Sequence, residues 1–479
     1  MQVFKLRHLA LIGLALGLAA VVMVVAFGAS SECTGPAPRP DAHELASADL
    51  KPRVIDLHLP ADLGRAGGLL VADLDRDGAR DVLVSQPGHL AAYRASGETL
   101  WQLETDIQLT GQAESEGLPG LHAPGVTAAE IDGDGRVEVL YLTRSGALVV
   151  LDGATGQREH RVDLEAPAGA ERWEHLVVAD FRGLGDRDLL LQATNRDGYR
   201  MGRHLAAFAL DRLLTEGPEA ARLWQRDDFQ ALAHGGARIA DLDGDGRHEV
   251  LGGDLLGPDG KRRLRLDVDG HIDAIVAADV RPDLPGLEVV ALEEGSRNRI
   301  FLYGPDRLYW VTHDRHQEPQ NAVVGDFDPD RPGLEIWCRS RYDTHQRPFV
   351  FDAHGRPIAS YPLAERAPAG WTNKGVEVIA PIDWRGGTSR LAAAKERHRA
   401  GDVGVFDPLT GRFVRRIEEQ ADRLYVADVF GDGREELVVR SGSRVRIYAN
   451  PEPAAGPVGS PWRLDHYRRS KLTWNYYSP

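Results

Sequence analysis

Residues 238–250 read R-I-A-D-L-D-G-D-G-R-H-E-V, from Arg238 to Val250. A short apolar strand runs into aspartates at alternating positions, Asp241, Asp243 and Asp245, then Gly246, then Glu249 and a second apolar strand. Carboxylates at loop positions 1, 3, 5 and 9, with glycine at position 6 for the bend, suit a hard cation bound through oxygen. Ca²⁺ is the natural candidate. The pattern recurs along the chain, and that recurrence sets the architecture.

The loop starts like an EF-hand, but its last acid stands at position 9 and its flanks are strands. A first copy, V-A-D-L-D-R-D-G-A-R-D-V from Val71, places Asp73, Asp75, Asp77 and Asp81 in the ligand positions. The second, A-E-I-D-G-D-G-R-V-E-V, offers Glu130, Asp132, Asp134 and Glu138. The third, from Asp180, keeps Asp188 but has Arg182 and Leu184 where carboxylates belong, and is expected to hold no metal. Residues 238–250 are the fourth. The fifth, D-V-R-P-D-L-P-G-L-E-V, offers only Asp279, Asp283 and Glu288; the sixth, D-F-D-P-D-R-P-G-L-E-I, offers Asp326, Asp328, Asp330 and Glu335. A seventh, around Ile382, Asp383 and Trp384, is recognised by position. The eighth, D-V-F-G-D-G-R-E-E-L, supplies Asp428, Asp432 and Glu436. The first, second, fourth and sixth turns are expected to bind Ca²⁺, the fifth and eighth more weakly. The alternative for each is an Asp-Gly turn closed by side-chain to backbone bonds without metal.

From Asp73 to Asp428 the repeats average roughly 50 residues, the span of propeller blades. Each supplies four short strands, as in V-E-V-L-Y-L-T, A-L-V-V-L-D-G and Q-R-E-H-R-V-D-L of the second repeat. The expectation is an all-β, eight-bladed propeller over residues 53–450, with seven blades as the alternative. The eighth repeat is one strand short, and an orphan strand, R-V-I-D-L-H-L, precedes the first. That strand is expected to complete the last blade, because an open ring would expose an edge. Leu205 to Trp224 reads as a partly helical excursion from the third blade. The basic and aromatic tail, residues 451–479, reads as a latch against the propeller or as a surface for stacking on sugars.

A chain of 479 residues is too long for one ordinary core. Its net charge of −15 argues against nucleic acid. Much of that charge sits in the turns: four bound Ca²⁺ would bring −15 to −7. Without a cation such clusters repel and raise one another's pKa. Two cysteines, Cys33 and Cys338, form neither a disulfide framework nor a thiolate metal site. Leu9 to Ala29 is apolar throughout, follows Lys5, Arg7 and His8, and is long enough to cross a bilayer. Residues 1–30 are therefore a signal anchor or a signal peptide, and 31–52 a Pro/Ala-rich linker. Either reading puts the rest outside the cytoplasm, membrane-anchored or secreted.

The acidic turns resemble the FG-GAP or VCBS repeats of calcium-binding propellers, including integrin alpha chains. Over about residues 239–340 the succession D-L-D-G-D-G-R-H-E-V, D-G-H-I-D-A-I, P-G-L-E-V and D-F-D-P-D-R-P-G-L-E-I resembles the propeller of family 11 rhamnogalacturonan lyases. The resemblance implies eight blades, calcium dependence and β-elimination in a pectin backbone. His271, in G-H-I-D, is similar to a Gly-His-Gly-Asp segment of that family, which implies a metal-binding or acid–base role.

In such a blade the acidic turn follows the innermost strand, so residues just before that strand emerge at the opposite mouth of the channel. These lead-ins are Arg65, His122, Trp173 with His175, His234, His271, His316, Asn373 with Lys374, and Arg423. A ring of imidazole and basic groups suits an anionic ligand such as an acidic polysaccharide. A lyase needs a base for the proton α to a uronate carboxylate and a cation or arginine to neutralise that carboxylate. His234 and Lys374 are the next choices for the base. Each of these histidines also reads as a hydrogen-bonded loop residue. The sequence has no G-x-S-x-G and no P-loop. A non-catalytic adhesion or carbohydrate-binding propeller with a cell-surface partner is the alternative to the lyase, and an envelope scaffold is a third class.

Overall fold

The computed structural model describes residues 50–58, 67–107, 109, 125–194, 201–230, 236–312, 318–340, 346–397, 400–456 and 459–472. Alternating apolar residues and glycine-bearing turns make eight antiparallel four-stranded sheets, seven of them built from strands consecutive in sequence. In the last blade Arg53–Asp56 pairs with Arg444–Tyr448, with Ile55 opposite Val445. The orphan strand thus closes the ring, and eight blades replace the seven-bladed alternative. Ile55, Val71, Val82, Tyr425, Val438 and Val445 share one core across that junction.

A second device joins neighbouring blades. Trp101 Nε1 donates to Gly153 O (2.7 Å), Trp224 to Pro258 O (2.9 Å) and Trp310 to Ala353 O (3.1 Å), while the Tyr361 hydroxyl donates to Pro408 O (2.7 Å). Each of these outer-strand rings lies on a turn glycine of the next blade. A Cβ on Gly156 or Gly260 would fall 2.7 or 2.6 Å from the ring, and both glycines have positive φ (68° and 74°).

The innermost strands are Leu69–Ala72, Val126–Ala129, Trp173–Ala179, Arg238–Ala240, His271–Ala278, Ala322–Gly325, Val376–Ile382 and Arg423–Ala427. All eight acidic turns follow them, so they share one face, and the lead-ins share the other. The expected excursion is narrower than Leu205 to Trp224: Leu210–Glu216 and Pro218–Ala221 are helical, between strands Met201–Ala209 and Arg222–Arg226. Helix Asp465–Leu472 stands in the central channel. Tyr467 Oη hydrogen-bonds to Glu435 Oε1 (2.7 Å), Arg469 pairs with Asp186 (2.7 Å), and Tyr425 Oη donates to Lys471 O (2.7 Å). The latch reading therefore holds for this part of the tail, while residues 473–479 lie outside the described ones. Among the described residues no helix is long and apolar enough to cross a membrane. Leu9–Ala29 and Cys33 also lie outside them.

Candidate metal centre at the channel mouth

On the turn face the last acid of the turn, at position 9 or, in the fifth and sixth turns, one residue longer, at position 10, has a defined local task. Leu74 N–H donates to Asp81, Ile131 to Glu138, Phe181 to Asp188, Leu242 to Glu249, Arg281 to Glu288, Phe327 to Glu335 and Val429 to Glu436, at 2.7–3.0 Å. All seven acids are buried, and each clasps the start of its turn to the second strand. The seventh blade lacks the acid and borrows Glu435, which accepts the Asp383 N–H at 2.8 Å. Burial pushes Asp81, Glu138 and Glu249 up to about 7 and Glu436 up to about 8.

The remaining carboxylates converge unequally. Oxygens of Asp73, Asp75 and Asp81, of Glu130, Asp132 and Glu138, and of Asp241, Asp243 and Asp245 lie within 4.8 Å of one another in each set, a spacing one cation can bridge. Asp77, Asp134 and Glu249 stand outside those sets, and Asp326, Asp328, Asp330 and Glu335 form none. In the fifth turn Asp283 pairs with Arg281 (2.6 Å), and in the eighth Asp432 pairs with Arg434 (3.3 Å) while Asp428 accepts from Ser460 (2.9 Å). In the third turn the Arg182 guanidinium donates to Asp188 at 2.6 Å, so a protein cation takes the place the sequence denied to a metal.

The opposite mouth holds a different cluster. His271 Nε2 lies 3.0 Å from Asp273 Oδ1 and 3.8 Å from Glu294 Oε2. The strand explains this: His271 and Asp273 are two residues apart on its first turns of pleat, and Glu294 is the cross-strand partner of His271. Asp273 is wholly buried, and neither of its carboxylate oxygens accepts a hydrogen bond of good geometry. Its pKa is pushed up to about 7, by burial first; the His271 imidazole opposes this and Glu294 adds to it. Two carboxylates and an imidazole nitrogen within 4.8 Å fit a divalent cation. Gln320 Nε2 donates to Glu294 Oε2 at 2.8 Å, orienting that carboxylate from the sixth blade, and Arg339 donates in turn to Gln320 Oε1.

The other lead-ins divide. His175 is buried and bonds Ala237 O at 2.9 Å, a clasp between the third and fourth blades. Arg423 is buried and donates to Gly67 O at 2.7 Å, tying the last blade to the first. Trp173 donates to Glu165 O at 2.9 Å. Lys374 is exposed on the mouth face, and its ammonium pairs with no described carboxylate. Arg65, His122, His234 and His316 lie outside the described residues. Sequence reading missed Asp273 and Glu294 as partners of His271. Their signal was present, since acids interrupt the apolar strands H-I-D-A-I and E-V-V-A-L-E-E. Also missed was the buried pair Lys395–Glu377 (2.8 Å) on the seventh blade.

Fold and mouth together define an eight-bladed propeller that gathers acids and an imidazole at one end of its channel. The family model for the C-terminal domain of rhamnogalacturonan lyase family 11 matches residues 224–476, and an FG-GAP-like repeat matches residues 73–141. The first match covers more than half of the chain, which therefore belongs to rhamnogalacturonan lyase family 11. Rhamnogalacturonan endolyase YesW of Bacillus subtilis (strain 168) is 24% identical over 454 residues, covering 80% of this chain and 67% of that protein. Rhamnogalacturonan exolyase YesX of the same organism is 22% identical over 441 residues, covering 79% of this chain and 70% of that protein. The crystal structures of YesW and YesX superpose with TM-scores of 0.65 and 0.66 at 19% identity, each over 89% of this chain and 81% of theirs. They share the fold.

Proposed function

We propose that this protein cleaves an acidic polysaccharide of rhamnogalacturonan type by β-elimination, with a divalent cation, Ca²⁺ in the first instance, held by His271, Asp273 and Glu294. The observation that carries the reading is a buried aspartate whose oxygens accept no well-formed hydrogen bond, beside an imidazole and a second carboxylate, at the mouth of the channel. A cation there would supply positive charge to a uronate carboxylate, which makes the adjacent C5 proton more acidic. The chain's own residues do the rest. His271, Asp273 and Glu294 fix the site, Gln320 orients Glu294, and Lys374 or His234 takes the C5 proton. The C5–H electron pair forms the C4=C5 bond, the C4–O4 bond breaks, and the departing oxygen takes up a proton from solvent water. The acidic turns on the opposite face have a structural role as Ca²⁺ sites, and the propeller works outside the cytoplasm.

The test is incubation with rhamnogalacturonan and with polygalacturonate, in Ca²⁺ or in EDTA, following the ultraviolet absorbance of the unsaturated product. A cation-dependent rise, lost in Asp273→Asn, is expected. Folded protein that gains thermal stability from Ca²⁺ yet yields no unsaturated product from any polyuronide would leave a binding propeller instead.

A further inference from the structure

Beside helix Asp465–Leu472 the central channel keeps a cavity of about 640 Å³. Its walls are the innermost strands of the fifth to eighth blades on one side and the helix on the other. Sites for small organic ligands span a few hundred Å³ upward, mostly apolar with a few placed polar groups. This cavity has that make-up: Ile275, Val324 and Ile379 furnish apolar wall, and Arg238, Lys471 and Asn321 are polar.

The polar groups are what call for a ligand. Arg238 is 6% exposed; one guanidinium nitrogen donates to Ser470 O at 3.3 Å, and its Nε donates to nothing. Asn321, 5% exposed, has an amide nitrogen that also donates to nothing. The Lys471 ammonium lies 4.8 Å from the centre of the Tyr467 ring. Neither Arg238 nor Lys471 forms an ion pair with a described carboxylate; Glu435 favours the Lys471 charge and Arg238 disfavours it, and burial outweighs both. Burial pulls the pKa of both below the usual range, Arg238 to about 10. Glu435 is occupied by Trp462 (2.9 Å), Tyr467 (2.7 Å) and the Asp383 N–H (2.8 Å). Among the described residues the cavity therefore offers two cations and an amide donor that no carboxylate pairs, Asp326 being the one acid on its wall, an arrangement that is costly in a dry interior unless a negative group joins it.

We propose that this cavity binds a small carboxylate anion of monosaccharide size, a uronate, held by Arg238 and Lys471 with Asn321 as a further donor. The choice of a uronate rests on the lyase reading above; the carboxylate site itself does not. It is separate from the cluster of His271, Asp273 and Glu294, and no step of the elimination passes through it.

The experiment is calorimetric titration of the full chain in EDTA with galacturonate, acetate and galactose, on the wild type, Arg238→Gln, Lys471→Gln and His271→Ala. One galacturonate per chain is expected, weakened at least tenfold by either of the first two substitutions, unchanged in His271→Ala, with no heat from galactose. Acetate binding as tightly as galacturonate through the same residues would uphold the carboxylate site and overturn the uronate assignment. No binding of either anion, or binding indifferent to both substitutions, would overturn the proposal. Should Arg238→Gln not fold, Arg238→Lys keeps the charge with fewer donors and is expected to bind several-fold more weakly. Absence of lyase activity in wild type that still binds galacturonate would remove the lyase reading and leave this site standing.

Discussion

Glu249→Gln separates the two tasks that the acidic turns combine. Glu249 is wholly buried; one carboxylate oxygen accepts the Leu242 N–H at 2.9 Å and the other lies 3.1 Å from Arg263. A glutamine keeps the acceptor for Leu242 and removes the charge. In metal-free protein that charge is a burden, because burial first, and Asp243 and Asp245 after it, push the carboxyl up to about 7. The folded state then holds a proton that the unfolded chain, titrating near 4.3, has released. The stability associated with that proton is fully present below about pH 4 and is lost as pH rises through about 7. A shift of that size would amount to about 4 kcal/mol if undiscounted. The solvated turn and the nearby guanidinium screen it, so about 1 kcal/mol is expected. In EDTA at pH 8, Glu249→Gln should therefore stabilise by about that much, raising Tm by about 1–2 °C for a chain of this size. At pH 5 it should be neutral. With Ca²⁺ at roughly one hundred times the dissociation constant, a turn that binds the ion gains about 2.7 kcal/mol, and the same substitution should forfeit part of it. Thermal melts at both pH values, in EDTA and in Ca²⁺, read all four cells. Destabilisation by Glu249→Gln in EDTA at pH 8 as large as that in Ca²⁺ would refute the reasoning, since the carboxylate would then be favourable without any ion.

Arg182→Ala strips the buried Asp188 of its guanidinium partner and should cost about 2 kcal/mol near pH 8 and less as pH falls, because burial raises the Asp188 carboxyl and favours its neutral form, measured by urea unfolding across that range. Ile55→Ala, at a fully buried position of the closing strand, should cost about 3 kcal/mol and show first as faster amide exchange in residues 444–448. Tyr467→Phe removes the hydroxyl that meets Glu435 and should cost about 1–2 kcal/mol, with faster proteolysis of the C-terminal segment as the readout. His271→Ala should weaken cation binding at the mouth at least tenfold while leaving the Ca²⁺ response of the acidic turns unchanged, a difference that calorimetry resolves as loss of one class of sites.

The ring itself was legible because its signals are local and repeated. Acidic turns of the form D/E-x-D-x-D-G mark where the first, second and fourth innermost strands end, decayed copies at regular spacing mark the others, and the missing strand of the eighth repeat pointed back to R-V-I-D-L-H-L. The inter-blade stitches were not legible, although the turn glycines were: nothing local ties Trp101 to Gly156, since the contact crosses from one blade to the next. The mouth was half legible. His271 stood out beside a glycine, but Glu294 meets it only through strand register, 23 positions along the chain (294 − 271 = 23), and Asp273 was hidden in an apolar run. Conversely, His175 and Arg423 looked like mouth ligands and are clasps, because an imidazole or guanidinium at the start of an inner strand can turn toward the neighbouring blade as easily as toward the channel.

The position-9 acid explains why the turns survive where the metal pattern decays. Its hydrogen bond to the residue after position 1 needs no cation, so the third turn can lose the carboxylates at positions 3 and 5 and still hold its shape, with Asp180 at position 1 accepting from Leu184 and Gly185. There Arg182 supplies positive charge directly to Asp188. In the fourth turn Arg263 reaches both Asp243 (2.9 Å) and Glu249 (3.1 Å), and in the seventh Arg390 pairs with Asp383. A graded response to chelation follows. EDTA should loosen the first turn, whose converging oxygens have an arginine on Asp75 alone, and the second, whose Arg136 sits on Asp134 outside the converging set, more than the fourth. The third and seventh should not respond. Hydrogen exchange of the position-2 amides, Leu74, Ile131, Phe181, Leu242 and Asp383, with and without EDTA tests the order blade by blade. Equal acceleration at all five would mean that chelation opens the whole ring, and that the arginines do not stand in for metal.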